Sequence, residues 1–424
     1  MDWFGSRIDF GFRRWQSGGV SGDWQNGSRC FTKALPLIHQ TLAGVFLATV
    51  WSVSKWEGRS LGFPELASDY MELCIQAMDL THHWRKEPDA RLQGSRALDS
   101  SKLQAPCIVR IPNGGYRLFY TAVGPAKPFP ACQGYILSAI SEDGLVFRTE
   151  PGIRIAPQPA LPYMSLRLIA PTITSCAAGL WRMYFESRGP ANQPTVICSA
   201  VSSDMLLWEL EEGIRLQNRS GIRSPRYLQL PDGRGRLYCI SSDYGPGGIA
   251  SGQRISANVI SAITSDGLHF AFEPGSRLQD KHSDYDSAGI SAAEVLPPAA
   301  EGDNWTMFFS AWQDVPAETV VPLHPSDDAD AVASGRSDDF AAASIATDMA
   351  GYRSRIFVAY STDGMAWERA ACAIEGLGYG GAGLDALHAE DMSLVQIGNG
   401  KYRMYYAACD KDGNWRIASA VTDA

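Results

Sequence analysis

A chain of 424 residues that is 45% hydrophobic and 20% charged can bury a substantial core, which excludes a disordered polymer. A formal net charge of -9, a pI near 5.3 and the lack of a Lys/Arg-rich run argue against nucleic acid or an anionic membrane as partner. Nine cysteines without a C-x-x-C pair argue against a disulfide framework and a zinc knuckle. They favour a reducing, cytoplasmic setting.

Residues 1–70 fit no repeat and read as an N-terminal extension. They contain the Gly/Ser-rich stretch "QSGGVSGDWQNGS" and a segment, Ala34 to Val53, without Asp, Glu, Lys or Arg. That segment reads either as a buried helix or as a membrane anchor or secretion signal, the alternative to a cytoplasmic chain. Pro36, His39 and Gln40 weaken the membrane reading.

From about residue 71 the chain repeats. "CIVRIPNGGYRLFYTA" (107–122) alternates apolar and polar residues around Asn113-Gly114, as a tight β-hairpin does. "LSAISEDGLVFRTEPGIRI" (137–155) adds a strand, an Asp-Gly turn and another strand. The same pair of segments returns at 172–187 with 198–216, and at 226–241 with 260–278. Further copies lie at 291–311 with 358–376, and at 393–408 with 416–424. The last copy lacks its fourth strand, and residues near 82–92 carry a matching one.

A four-stranded antiparallel meander cannot hide both faces alone. Stacked around an axis, copies bury one another, so the sequence predicts an all-β, five-bladed β-propeller over residues 71–424. The strand near 82–92 is expected to close the ring on the last blade, 391–424. The Asn-Gly and Asp-Gly turns then lie on the face opposite the funnel. The repeated Glu-Pro-Gly-x-Arg corners, such as Glu150 to Arg154, read as structural, in a packing or ion-pair role.

The funnel face collects a different set. Blade links bring Arg167, Arg223, His282, Asp284, Asp286, His388, Glu390 and Asp391. Exits of the second strands bring Glu186, Arg188, Asp243, Trp312 and Asp314. His388 beside Glu390 and Asp391 is the leading acid–base candidate, because imidazole titrates near neutrality and a carboxylate orients it. Asp286 is the fourth catalytic candidate. Arg167, Glu186, Arg223, Asp243, His282 and Trp312 are the substrate-binding candidates, with Arg226 a further forked donor. The insertion from Gln313 to about Tyr352 lies on this face as a lid candidate. Its cluster Asp327, Asp328 and Asp330 lacks EF-hand spacing and reads as solvated loop. No nucleotide-binding loop or serine-hydrolase elbow occurs. No cofactor and no metal are expected.

The pattern x-P-x-V-x-x-x-x-G-x-Y-R-L-Y-Y followed by S-x-D-G-x-x-F resembles the five-bladed propellers of the arabinanase, levansucrase and invertase glycosidases. The likeness spans about residues 70 to 424. It implies carboxylates at the starts of the innermost strands, acting as base or nucleophile, as acid, and as tuner of the acid. The matching positions here are Ala105-Pro106, Ala170-Pro171 and Ser224-Pro225, which cannot move protons. Only "HAEDMSLV" keeps acids, Glu390 and Asp391. The expectation is an enzyme for a small polar or sugar-like metabolite, working by non-hydrolytic acid–base chemistry such as a lyase, isomerase or cyclase step. A glycosidase with relocated carboxylates and a non-catalytic sugar-binding propeller are the alternatives.

Overall fold

The computed structural model describes residues 84–100, 102–112, 114–124, 133–176, 179–189, 193–243, 256–279, 289–300, 302–314, 352–375, 382–398 and 400–422. All belong to one compact unit, Leu73–Ala424. The extension 1–70 and its apolar segment, His282, Asp284, Asp286 and the acidic loop 324–340 lie outside them. No helix among the described residues is long and apolar enough to cross a membrane.

Two short strands open the described chain, β1 (Trp84–Lys86) and β2 (Leu92–Gln93). The first meander is β3 (Lys102–Arg110), β4 (Tyr116–Val123), β5 (Gly134–Ser141) and β6 (Arg148–Thr149). The second is β7 (Arg167–Ser175), β8 (Trp181–Arg188), β9 (Val196–Ser202) and β10 (Glu209–Leu210). The third is β11 (Ile222–Gln229), β12 (Gly235–Asp243), β13 (Ser256–Thr264) and β14 (Ala271–Phe272). The fourth is β15 (Gly289–Leu296), β16 (Trp305–Asp314), β17 (Tyr352–Ser361) and β18 (Glu368–Ile374). The last is β19 (His388–Gln396), β20 (Tyr402–Cys409) and β21 (Trp415–Thr422). Within each meander neighbouring strands pair antiparallel, and β21 pairs antiparallel with both β1 and β2.

Turn chemistry sets these registers. Gly144, Gly267 and Gly364 take φ of 74°, 75° and 70° in the Asp-Gly turns. In each turn the preceding aspartate caps the two amides that follow, as Asp143 does for Leu145 and Val146 at 2.8 and 3.1 Å. Those amides hold the Asp143 carboxyl down to about 2. The second meander has Met205 in place of glycine, at φ 61°.

The glutamates of the Glu-Pro-Gly-x-Arg corners form ion pairs with second-strand arginines, while a corner arginine such as Arg154 donates to the backbone carbonyls of Pro151 and Leu206. Glu150 meets Arg117 on β4 at 2.9 Å, Glu211 meets Arg182 on β8 at 2.8 Å, and Glu273 meets Arg236 on β12 at 2.8 Å. Glu87 makes the same pair with Arg403 on β20 at 2.9 Å, although more than 300 residues separate them in sequence. A serine on the third strand of the meander bonds each glutamate: Ser138, Ser199, Ser261 and Ser419. Tyrosines then tie one meander to the next. The Tyr184 hydroxyl donates to Gly267 O at 2.8 Å, and that of Tyr405 to Gly144 O at 2.7 Å.

The apolar core is divided among the seams between meanders. Phe119, Leu168 and Phe185 fill the seam of the first and second, and Tyr184, Leu237 and Cys239 that of the second and third. Ile240, Phe309 and Phe357 fill the next, and Phe308, Ile356 and Met404 the one after. Leu118, Tyr120, Tyr405 and Ile417 join the last meander to the first. Each such side chain removed from water stabilises by about 1.5–3 kcal/mol, so the seams are the main adhesive.

Candidate functional site at the hub

Every first strand breaks its ladder at one place. The registers skip between Gln104 and Cys107, Ile169 and Thr172, Arg223 and Arg226, Ile290 and Ala292, and Glu390 and Ser393. These are β-bulges, which bend a strand and re-aim its side chains. The dipeptides at residues 105, 170, 224 and 391, expected at the strand starts, therefore lie inside strands that begin two or three residues earlier, at Lys102, Arg167, Ile222 and His388. A proline follows three of them, where no ladder N–H is needed.

Four bulge residues have left-handed backbone: Ala105 at φ 44°, Ala170 at 50°, Ser224 at 50° and Asp391 at 51°. For alanine this conformation costs about 1–2 kcal/mol. Bonds from the second strand of the preceding meander hold it in place. The Ala170 amide donates to Thr121 Oγ1 at 2.8 Å, the Ser224 amide to Glu186 Oε2 at 2.9 Å, and the Asp391 amide to Ser310 Oγ at 3.3 Å.

The carbonyls released by the bulges converge on one side chain. Arg226 donates to Pro106 O, Pro171 O, Pro225 O and Met392 O at 3.0–3.3 Å. Its Nε lies 2.8 Å from Glu294 Oε2 on β15. One guanidinium thus touches the first strand of every meander. The expectation that Arg226 faces a ligand is corrected: its fork is occupied by the hub. Desolvation pushes the Glu294 carboxyl from 4.5 up to about 7, against the pull of Arg226. A carboxyl raised on folding contributes stability that is fully present below pH 4.5 and is lost as pH rises through about 7. Glu294→Gln removes that dependence. Urea midpoints should therefore shift in favour of the variant, relative to the parent, from pH 5 to pH 8. Parallel pH profiles would refute the assignment.

Above this plug a cavity is lined by Gln104, Ala105, Thr121, Val123, Arg167, Ile169, Ala170, Glu186, Arg188, Arg223, Ser224, Ser291, Trp312, Glu390 and Asp391. Of the sequence-derived candidates, Arg167, Glu186, Arg188, Arg223, Trp312, Glu390 and Asp391 are brought together here. Glu390 is buried, and two neutral donors orient its carboxylate. Gln104 Nε2 donates to Oε1 at 2.8 Å and Trp312 Nε1 to Oε2 at 3.0 Å. Glu186 is clamped differently, with Arg188 on Oε1 and the Ser224 amide on Oε2. The Arg223 guanidinium lies 5.2 Å from the Trp312 ring centroid, so it occupies one face that was expected to be open for stacking.

His388 does not line the cavity. It is fully buried, stacked on Trp415 at 5.1 Å, with Nδ1 3.1 Å from Ser354 Oγ. The seam between β17 and β19 holds its ring, between Ser354 and Trp415. Asp243 ends β12, and its side chain is not among those described. His282 and Asp286 lie outside the described residues. Reading the sequence missed Gln104, although the repeat carries the signal: Gln104 and Glu390 each directly precede a bulge residue. No group of three His, Cys, Asp or Glu side chains able to hold a metal occurs among the described residues.

The sequence matches no family model and no curated protein. Solved structures do match. A glycoside hydrolase aligns over 84% of this chain and 95% of its own, with TM-score 0.58 and 14% identity. A structure from the GH130 family of mannoside phosphorylases, which contains glycoside hydrolases that target β-1,2 mannosidic linkages in Candida mannan, aligns over 80% of this chain and 94% of its own, with TM-score 0.53 and 12% identity. An N-acetylgalactosamine deacetylase from F. plautii, in complex with blood group B trisaccharide, aligns over 80% of this chain and 95% of its own, with TM-score 0.52 and 16% identity. The all-β fold is that of the glycoside-hydrolase propellers.

Proposed function

We propose that residues 71–424 form a closed, five-bladed propeller enzyme that takes a sugar in its funnel. It acts by acid–base chemistry centred on Glu390 and Asp391, without two-carboxylate glycoside hydrolysis. Ring closure is supported by the pairing of β1 and β2 with β21, by the seam that joins last and first meanders, and by the reach of Arg226. The observation that carries the chemistry is the row of strained bulges. The hub keeps the same left-handed presentation at Ala105, Ala170, Ser224 and Asp391, yet only the last displays an acid. A fold does not dictate its reaction, and the structural neighbours include a deacetylase as well as hydrolases.

One observation favours hydrolysis as a second reading: Glu186 lines the same cavity and supplies another carboxylate. Glu186 is ion-paired with the Arg188 guanidinium, whereas Glu390 meets only neutral donors, which suits Glu186 better to positioning than to proton transfer. Incubating the full chain with aryl glycosides and free sugars, in H₂¹⁸O and separately in D₂O, tests the two readings. Mass spectrometry should show deuterium entering a C–H position and no aryl alcohol released. Aryl release with ¹⁸O at the anomeric oxygen would establish hydrolysis instead. A sugar bound but unchanged would reduce the protein to a binding module.

A further inference from the structure

Buried arginines in this protein meet either an acid or backbone carbonyls, as Arg154 and Arg355 do. Arg117, Arg182, Arg188, Arg226, Arg236 and Arg403 each meet a glutamate within ion-pair distance. Arg223 lines the cavity and has no acid at ion-pair distance among the described residues. It is only 7% exposed. Nη2 donates to Ile290 O at 3.2 Å and the guanidinium rests on Trp312. Its Nε has no hydrogen-bond acceptor, and among the described residues no carboxylate pairs with it. A guanidinium does not lose its proton inside a protein, so the charge persists without an ion-pair partner among the described residues. Such an arrangement is unfavourable until an anion arrives, and a planar fork fits an oxyanion best.

We propose that the ligand carries an oxyanion, the carboxylate, sulfate or phosphate of an acidic sugar, and that Arg223 binds it. The inference rests on the sugar reading of the cavity and adds both charge and orientation. Glu390 and Asp391 line the same cavity and repel an anion. Glu186 is already paired with Arg188. Trp312 lies between the two poles, with Arg223 on its ring and Glu390 on its Nε1. The acidic group therefore sits at β11, and the uncharged part of the sugar points toward Glu390 and Asp391 on β19. Arg223 is a binding residue in this account and takes no part in the proton transfer.

Calorimetry on the full chain with glucuronate, galacturonate, glucose, galactose, inorganic sulfate and inorganic phosphate tests it. At least one anionic sugar should bind ten-fold or more tighter than its neutral parent. Arg223→Met should abolish that preference, and Arg223→Lys should restore only part of it, because lysine keeps the charge without the fork. A melting curve checks each variant, and if Arg223→Met fails to fold, the lysine variant carries the comparison. Neutral sugars binding as tightly as acidic ones would overturn the inference while leaving the sugar reading intact. Sulfate or phosphate binding that depends on Arg223, with no sugar bound, would support the anion site and overturn the sugar reading. No binding of any anion would overturn the proposal outright.

Discussion

Arg226→Met is expected to destabilise the protein by about 3–5 kcal/mol, the range for removing one partner of a buried ion pair. Two losses combine. Glu294 is left desolvated without its cation, and the carbonyls of Pro106, Pro171, Pro225 and Met392 lose their donor. Water cannot readily replace a fork that reaches several strands at once. Glu294 escapes part of the penalty by binding a proton, so the loss should be smaller at pH 6 than at pH 8. Urea unfolding at both pH values measures this. Arg226→Lys should recover little, since an ammonium supplies fewer donors in a different geometry. Arg226→Met combined with Glu294→Met should recover more, because the orphaned carboxyl is gone. A single-variant loss below about 1 kcal/mol would mean that the hub is held by its seams alone and that Arg226 fills space.

How far the sequence reveals this architecture depends on which interactions are local. The Asp-Gly turns are legible because the chemistry is contained in four residues. Asp143 caps the amides just beyond it, and Gly144 takes a φ that most residues avoid. The glutamate corners are legible as pairs because they repeat, although the partner arginine is set by strand register. The bulges are harder to see. The Ala-Pro and Ser-Pro dipeptides mark them, yet nothing local says that the ladder skips there or that the preceding residue turns left-handed. The hub is harder still. Arg226 looks like any strand arginine, and its role appears only when the first strands of all the meanders meet. His388 illustrates the converse. Beside Glu390 and Asp391 in sequence it looks like catalytic machinery, but Trp415, 27 positions further along the numbering, takes it into the core.

Asp391→Ala should lower turnover of the sugar substrate by about 10²- to 10⁴-fold while leaving the fold in place, the range for losing a general acid or base. The protein supplies its own control for the second half of that statement. Ala105 and Ala170 occupy equivalent bulges with φ of 44° and 50°, so alanine is compatible with the conformation that Asp391 adopts at 51°. Thermal stability should therefore change by no more than about 1 kcal/mol, the difference in left-handed preference between aspartate and alanine. Asp391→Asn is the tighter comparison. Asparagine tolerates left-handed backbone well, so this variant keeps shape and strain and removes only the charge. Glu390→Gln is less clean, because Gln104 and the Trp312 indole both donate to Glu390. A carboxamide would turn an N–H toward one of these donors, so lost activity there would mix chemistry with misplacement. If Asp391→Asn and Asp391→Ala both retain full turnover, Asp391 moves no proton. The acid at this last bulge would then be as silent as the alanines at its counterparts, and the chemistry would have to come from elsewhere in the funnel.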